Sequence, residues 1–265
     1  MALENAPGRM PVLFIGHGSP TTILTDNDAT RGWARIGASL PRPKSILVIS
    51  AHWYTRGTAV TAMAAPRTIH DFGPLAPELF EMAYPAPGDP QLAARVQTLL
   101  EPTRVTLDDS WGFDHGCWTV LKKAFPEADI PVVQLSLDHA LSGQEHYALS
   151  QKLRPLRDEH VLIIASGNIV HNMSTLIWRD DAPTYPWGEK FRDHLVGHIR
   201  DRNFDPVIDY QQGGQDALHS VPAPDHYFPL MYALGASSDD DTISVENDFF
   251  QLGSIGMTSF VFSAA

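Results

Sequence analysis

The sequence predicts an α/β sandwich, in which a central parallel or mixed β-sheet is flanked by helices. Three observations predict this fold class. Short apolar runs recur along the chain, and several are rich in β-branched residues, as is typical of strands covered on both faces. Helical patterns lie between these runs, an alternation typical of α/β proteins. The chain of 265 residues also shows no internal repeat and no long linker, so we expect a single domain over residues 1–265.

The predicted strands are the compact apolar runs, which cover residues 12–15, 45–50, 59–63, 131–135, 161–166 and 256–262. Between the third and fourth runs, Asp89 suits the N-cap of a helix, with Pro90 at its first position and an end near Leu100. A capping box over residues 142–145 begins the next helix, which is expected to end near Leu153.

Two helical patterns follow the fifth strand. The first runs from Trp187 to about Arg200, and the second begins in the proline-rich segment after Pro222 and ends near Leu234. A further helical pattern follows a glycine-punctuated turn that contains His115. Strands and helices therefore alternate from one end of the chain to the other.

Composition excludes several classes of function. The chain has 31 acidic and 19 basic side chains and a formal charge of −12, and it lacks the basic cluster that nucleic acid binding requires. No apolar stretch approaches the roughly 20 residues that span a bilayer, and the beginning of the chain does not resemble a signal peptide. A single cysteine is typical of a reducing compartment, so we expect a cytoplasmic protein with no membrane or nucleic acid partner. The sequence does not predict the oligomeric state.

The 12 histidines stand in contrast to the single cysteine, so any metal must bind mainly to imidazole. Three of the predicted strands lead directly into a histidine: His17 follows the first, His52 the second and His171 the fifth. Parallel strands deliver the residues at their carboxyl ends to the same rim of a sheet, where ligands bind in α/β proteins. We therefore expect these imidazoles to lie close enough to share a metal, although each alone is more typical of a hydrogen-bonded structural histidine.

Two further histidines occupy loops beside predicted helices. His115 follows Asp114, with which a turn histidine would pair, and His226 follows Asp225 in a proline-rich segment. Loops held by a rigid scaffold commonly carry functional groups.

The other histidines are assigned ordinary positions. We expect His194 and His198 on the solvated flank of a helix whose buried face is apolar. The sequence around three others is polar, so we expect them to lie at the surface: His139, His146 and His160. Nothing local decides the positions of His70 and His219. No dinucleotide fingerprint, Walker motif or serine nucleophile elbow is present, and Cys117 is expected to be at least partly buried.

Seven short motifs resemble those of the class III extradiol ring-cleavage dioxygenases, in particular the 4,5-DOPA dioxygenase type. They occur in family order over nearly the whole chain, at residues 16–20 (GHGSP), 49–53 (ISAHW), 71–73 (DFG), 84–88 (YPAPG), 114–116 (DHG), 167–172 (GNIVHN) and 222–230 (PAPDHYFPL). The resemblance implies one catalytic α/β domain that opens a catechol ring with O₂. It also implies a non-haem metal, which is Fe(II) for activity, with Zn(II) as an alternative bound metal.

The resemblance also implies roles for the five histidines. His17, His52 and His226 are similar to metal ligands, and His171 is similar either to a fourth ligand or to the acid/base of the pocket. His115 resembles the second pocket histidine, which contacts a substrate hydroxyl or oxygen.

The third ligand position holds adjacent Asp225 and His226, either of which can coordinate a metal. Extradiol enzymes generally use two histidines and one carboxylate, whereas the DOPA type retains the histidine, so we favour His226. The same histidine set is also compatible with a zinc-dependent hydrolase, or with a non-catalytic metal-binding interaction module of the same fold.

Overall fold

The computed structural model describes residues 8–179 and 181–264, and in this part of the chain the predicted apolar runs meet in one central sheet. The strands are Val12–Gly16 (β1), Ser45–Thr55 (β2), Thr58–Thr61 (β3), Arg67–Thr68 (β4), Val105–Asp108 (β5), Gly112–Phe113 (β6), Val132–Asp138 (β7), Val161–Gly167 (β8), Asp241–Glu246 (β9), Phe250–Gln251 (β10), Ile255–Gly256 (β11) and Ser259–Ala264 (β12).

Helices connect most of the strands. They are Asp28–Ser39 (α1), Pro77–Glu81 (α2), Pro90–Leu99 (α3), His115–Ala124 (α4), Gly143–Gln151 (α5), Pro155–Asp158 (α6), Pro186–Arg200 (α7), Asp205–Ile208 (α8), Gly214–Ser220 (α9) and Pro229–Ala236 (α10). Short 3-10 helices cover Pro20–Leu24, Met173–Thr175 and Tyr210–Gly213.

The eight-stranded sheet has the order β5-β3-β7-β2-β8-β1-β12-β9 and is mixed. Strands β7, β2, β8 and β1 run parallel to their neighbours within this group, whereas β12 pairs antiparallel with both β1 and β9. The register places Gly16 beside Gly167 and Ser50 beside Ser166. The carboxyl ends of β1, β2 and β8 therefore meet at one edge.

Alternate side chains of the central strands enter two separate cores. In β1, Val12 and Phe14 face the side covered by α3, α5, α7 and α10, whereas Leu13 and Ile15 face the side covered by α1 and α4. Burying both faces explains why these strands are apolar throughout. The predicted α/β sandwich is confirmed.

Several predicted boundaries shift by a few residues. Asp89 caps α3 through Leu92 N–H, and the Ser142 capping box begins α5, as predicted. The strand expected over 256–262 is wrong at its beginning, because Met257 donates its N–H to Phe249 and leaves the ladder before β12 begins. The helix expected after Pro222 begins only with α10, since the preceding proline-rich segment forms turns.

The expected surface position of His146 is wrong. Its side chain is fully buried and lies against Phe228 and Tyr232, because α10 packs on the face of α5 that carries His146. This face also carries Leu149, Ser150 and Leu153 at helical spacing, so the periodicity of α5 contained the signal.

The flank position predicted for the two α7 histidines is confirmed. Phe191, Leu195 and Ile199 face the core, whereas His194 is exposed and His198 is half-buried. His139 is exposed and Cys117 is buried. In the described part of the chain, no helix has both the length and the apolar character needed to cross a membrane.

Candidate metal centre and active site

The sheet edge described above carries the five histidines singled out from the sequence. They are His17 directly after β1, His52 near the end of β2, His115 at the first position of α4, His171 in the loop after β8, and His226 in the turn before α10. The register of β2 on β7 shifts between Ile49 and Tyr54, so His52 lies in an irregular part of its strand. The expectation that parallel strands bring His17, His52 and His171 to one rim is confirmed, and His115 and His226 join them there.

The five rings form one contiguous cluster. The Nε2 atoms of His17 and His52 are 3.0 Å apart, and the ring of His226 lies 5.3 Å from that of His17 and 4.9 Å from that of His52, centroid to centroid. His115 packs against His52 with ring centroids 3.8 Å apart. The possible ligand atoms of His17, His52 and His115 all lie within 4.8 Å of one another.

His171 lies flat on His226. The two ring planes are inclined by only 4°, and their centroids are 3.5 Å apart. An imidazole nitrogen holds its lone pair in the plane of the ring, so a metal in the plane of His226 lies outside the plane of His171. The in-plane lone pairs of the two rings therefore lie in parallel planes.

Ser166 determines which nitrogen of His17 is free. The Ser166 hydroxyl donates to the carbonyl oxygen of Gly116 at 2.6 Å, and its oxygen lies 3.1 Å from Nδ1 of His17. Since the serine hydrogen is already used, the oxygen accepts from the Nδ1–H of His17. The lone pair of His17 is therefore on Nε2, which faces His52.

Asp71 holds the rings on the opposite side of the cluster. Its Oδ1 accepts from the backbone N–H of His115 at 2.8 Å, and its Oδ2 lies 2.9 Å from Nδ1 of His115 and 3.4 Å from Nδ1 of His52. A carboxylate only accepts hydrogen bonds, so Nδ1 of His115 carries the hydrogen and its Nε2 is free.

Asp225 has the same relation to His226. Its Oδ2 accepts from Nδ1 of His226 at 2.7 Å, which again leaves Nε2 as the free nitrogen. Burial opposes ionisation of Asp225, but the hydrogen bond from His226, the charge interactions with His226 and His171, and a backbone hydrogen bond together lower the pKa of the carboxyl. Asp225 thus contacts its neighbour in sequence and orients it.

Asp114 serves the scaffold. Its side chain accepts from Ser50 at 2.6 Å, from the backbone N–H of Cys117 at the beginning of α4, and from the amide of Gln134. Burial, together with the nearby Asp71, raises the pKa of Asp114. The expected pairing of Asp114 with His115 is wrong, because both oxygens of Asp114 are occupied and Asp71 lies closer to the imidazole nitrogen.

Burial and mutual proximity keep three of the imidazoles neutral. Burial, followed by the neighbouring histidines, holds the pKa of His17 and of His52 well below the usual range. Burial, reinforced by His226, lowers the pKa of His171 to about 2. Neutral imidazole is the form that binds transition metals.

The cluster fits a metal ion. The Nε2 lone pair of His17, whose Nδ1 carries the hydrogen, lies 3.0 Å from Nε2 of His52, and the Asp71 carboxylate lies 3.4 Å from Nδ1 of His52. Two imidazole nitrogens this close match the spacing of ligands that share one ion at about 2.0–2.1 Å from each.

Four aromatic residues in or near the motifs have the chemistry to stack on a substrate ring, and their contacts in the structure differ. Tyr227 is buried and donates to the carbonyl of Val207, so it belongs to the core. Trp53 is buried and stacks on Trp111 at 5.6 Å. Phe72 is half-buried and meets His115 edge-on at 5.6 Å, so it lines the cluster.

Asp71 and Ser166 are the residues whose roles were not recognised from the sequence. Asp71 follows no predicted strand, and it reaches His115 across 44 residues. Ser166 follows no nucleophile motif, and its hydroxyl joins the carbonyl of Gly116 to Nδ1 of His17. For both residues, the only sequence signal was a position in or directly before one of the recognised motifs.

Comparisons with known proteins identify the family. Residues 11–263 match the model described as the catalytic LigB subunit of aromatic ring-opening dioxygenase. The 4,5-DOPA dioxygenase extradiol of Escherichia coli K12 is 47% identical over 255 residues, which cover 95% of this chain and 94% of that protein. The protein of the same name from Portulaca grandiflora is 35% identical over 260 residues, which cover 95% of this chain and 95% of that protein.

A crystal structure of an uncharacterized protein from Escherichia coli K12 superposes with a TM-score of 0.84 at 43% identity, covering 96% of this chain and 99% of that one. Sequence and fold therefore agree over nearly the full length of the relatives. The chain belongs to the LigB family of class III extradiol dioxygenases, metal-dependent enzymes that open an aromatic ring with O₂.

Proposed function

We propose that this dioxygenase cleaves the ring of a DOPA-like catechol and that it does so with Fe(II) bound to the histidine cluster. The curated relatives named above are 4,5-DOPA dioxygenases, which supports a substrate of this class. The family match over residues 11–263 supports one catalytic domain over the whole chain, residues 1–265.

His17, His52 and His226 are the proposed metal ligands. The observation that carries this proposal is the pair of Nε2 atoms 3.0 Å apart, with the Nδ1 of His17 bonded to Ser166. His226 completes the set, because Asp225 uses its Oδ2 to accept from Nδ1 of His226 and so leaves Nε2 for the metal. Fe(II) held by these three histidines would supply the Lewis-acid and redox chemistry with which a catechol and O₂ react.

His171 is the proposed acid/base. Its ring stacks on that of His226, so it can accept a proton from a catechol hydroxyl bound beside the ligands and return it later. His171 was considered both as a ligand and as the acid/base, and the parallel stack favours the second role.

His115 is the proposed second pocket residue. Asp71 accepts from its Nδ1–H, so its Nε2 is directed to the cluster as an acceptor for a substrate hydroxyl. Phe72 lies against the same imidazole and can limit the position of the aromatic ring.

Oxygen uptake tests the function. Protein loaded with Fe(II) under anaerobic conditions and then given L-DOPA or a simpler catechol should consume one O₂ per ring and form a yellow semialdehyde. His226→Ala should abolish both signals, whereas the exposed His194→Ala should leave both unchanged. Iron-loaded protein that takes up no O₂ across a panel of catechols would overturn the proposal, and hydrolysis supported by zinc alone would replace it.

Metal retention separates the two roles of His171. We expect His171→Gln to bind the metal with an affinity close to that of the parent chain and to lose turnover by roughly 100-fold to 10,000-fold, as is typical when a general acid/base is removed. Loss of metal from His171→Gln would instead identify a fourth ligand.

A further inference from the structure

Asp71 is the one carboxylate, among residues 8–179 and 181–264, whose side chain contacts two histidines of the cluster. Asp225 contacts His226 alone, and the oxygens of Asp114 are occupied by scaffold groups. Asp71 lies in the segment between β4 and α2, which belongs to neither of the central strands that carry His17 and His52.

We propose that Asp71 is a positioning residue that fixes, with one carboxylate, the orientation of both the metal ligand His52 and the pocket residue His115. This inference rests on the proposed function for the roles of the two histidines.

The two oxygens of Asp71 have different partners. Oδ1 accepts from the backbone N–H of His115 and so ties the carboxyl group to the first turn of α4. Oδ2 then lies between the two Nδ1 atoms, 2.9 Å from His115 and 3.4 Å from His52. Because the rings of His52 and His115 are also in contact, with centroids 3.8 Å apart, a shift of one is transmitted to the other.

The two residues directly before Asp71 are anchored by hydrogen bonds. The indole of Trp118 donates to the carbonyl of Ile69, and the backbone N–H of Ile69 donates to the carbonyl of Phe113. The ring of His70 bonds the carbonyl of Met82. Asp71 is therefore held in place by α4 and by β6, the strand that precedes α4. It can in turn fix the positions of the imidazoles that it contacts.

Replacing the carboxylate by an amide reverses the hydrogen-bond pattern. In Asp71→Asn, the amide oxygen remains the acceptor for the backbone N–H of His115, so the amide nitrogen takes the place of Oδ2. That nitrogen only donates, and His115 must then present an unprotonated Nδ1 and move its hydrogen to Nε2. The nitrogen that faces the pocket changes from an acceptor to a donor. Asp71→Glu keeps two acceptors and should preserve the original tautomer.

The test is the imidazole tautomer, read from long-range proton–nitrogen NMR spectra of the metal-free chain. The His115 signal is assigned by its disappearance in His115→Gln. We expect the Nδ1–H form in the parent chain and in Asp71→Glu, and the Nε2–H form in Asp71→Asn. Asp225→Asn, which removes the carboxylate that contacts His226 alone, should leave the His115 signal unchanged.

An Nε2–H form in the parent chain, or an unchanged tautomer in a folded Asp71→Asn, would overturn the proposal. This readout needs no catechol and no O₂, so failure of the proposed reaction leaves it intact. For the iron-loaded enzyme we expect Asp71→Asn to lower kcat/KM and metal affinity by roughly 10-fold to 100-fold each, with partial recovery in Asp71→Glu. Equal losses in Asp71→Asn and Asp71→Glu, with no change of tautomer, would indicate a merely structural role.

Discussion

The hydroxyl of Ser166 shows how a single neutral side chain prepares a metal ligand. It donates to Gly116 and accepts from Nδ1 of His17, so one oxygen joins the end of β8 to α4 and to the residue that follows β1. A metal ligand whose second nitrogen is held in this way keeps one tautomer and one ring orientation.

We predict that Ser166→Ala lowers metal affinity by roughly 10-fold to 100-fold, because Nδ1 of His17 loses its buried acceptor. The measurement is competition with a chromophoric chelator. Ser150→Ala is the matched control, since this serine is equally buried and donates to Tyr147 and Met231 far from the cluster. Equal metal affinities in the two variants would contradict the role assigned to Ser166.

The sequence indicated the positions of the histidines much better than it indicated the residues that bond to them. His17, His52 and His171 were recognised because each follows an apolar run, and strand ends converge by topology. Asp71 and Ser166 act through contacts between distant segments, so neither has a local pattern that indicates its role. His146 was misplaced because its polar neighbours in sequence are exposed, while the helix turns its own side chain inward.

Among the elements, α4 requires a close approach to β2. Gly116 lies in its first turn, where an added Cβ would be 2.6 Å from Oγ of Ser50 and 3.1 Å from Cδ2 of His52. Ser50 cannot move freely because it donates to Asp114, which caps the helix. The first turn of α4 is thus packed directly against a proposed ligand.

We predict that Gly116→Ala displaces His52, with a loss of metal affinity of at least about 10-fold and a loss of stability of about 1–3 kcal/mol. Chelator competition and urea denaturation measure the two effects. Gly197→Ala is the matched control, because this glycine lies within α7 with no atom near the added Cβ, and alanine there should stabilise by about 0.5–1 kcal/mol. Normal metal affinity in Gly116→Ala would contradict the assigned packing.

Element boundaries could be predicted where the signal is local. The caps of α3 and α5 depend on Asp89 and Ser142, whose side chains bond backbone groups only three residues away. The beginning of β12 could not be predicted, because Met257 is apolar and leaves the sheet through a backbone bond to Phe249. Hydrophobicity alone does not distinguish such a residue from a strand residue.

For the molecule as a whole, the order of the strands places the site. Strands β2, β8 and β1 are adjacent and parallel, so three separate segments of the chain deliver histidines to one edge. The alternation of strands and helices was sufficient to predict this layered architecture, but the pairing of β12 between β1 and β9 depends on long-range contacts.

Acid should destabilise the molecule, and His146 allows one contribution to be isolated. Burial between α5 and α10 lowers the pKa of His146 to about 4, and its Nε2 has no hydrogen-bond partner among the described residues. His17, His52 and His171 also have lowered pKa values, so the metal-free chain contains several imidazoles that resist protonation.

The sign of the effect follows from proton linkage. Between pH of about 6.5 and 4 the unfolded chain binds a proton at His146 and the folded chain does not, so the free energy of unfolding falls as the pH falls. We predict that, relative to His146→Gln, the parent chain loses roughly 2 kcal/mol of stability between pH of about 7.5 and 5. Urea denaturation of metal-free protein at both pH values measures this difference. His139→Gln is the control, because it removes an exposed histidine and should reproduce the pH profile of the parent chain. If the stabilities of the parent chain and of His146→Gln change equally with pH, His146 is protonated in the folded state without a cost in stability, and the prediction is wrong.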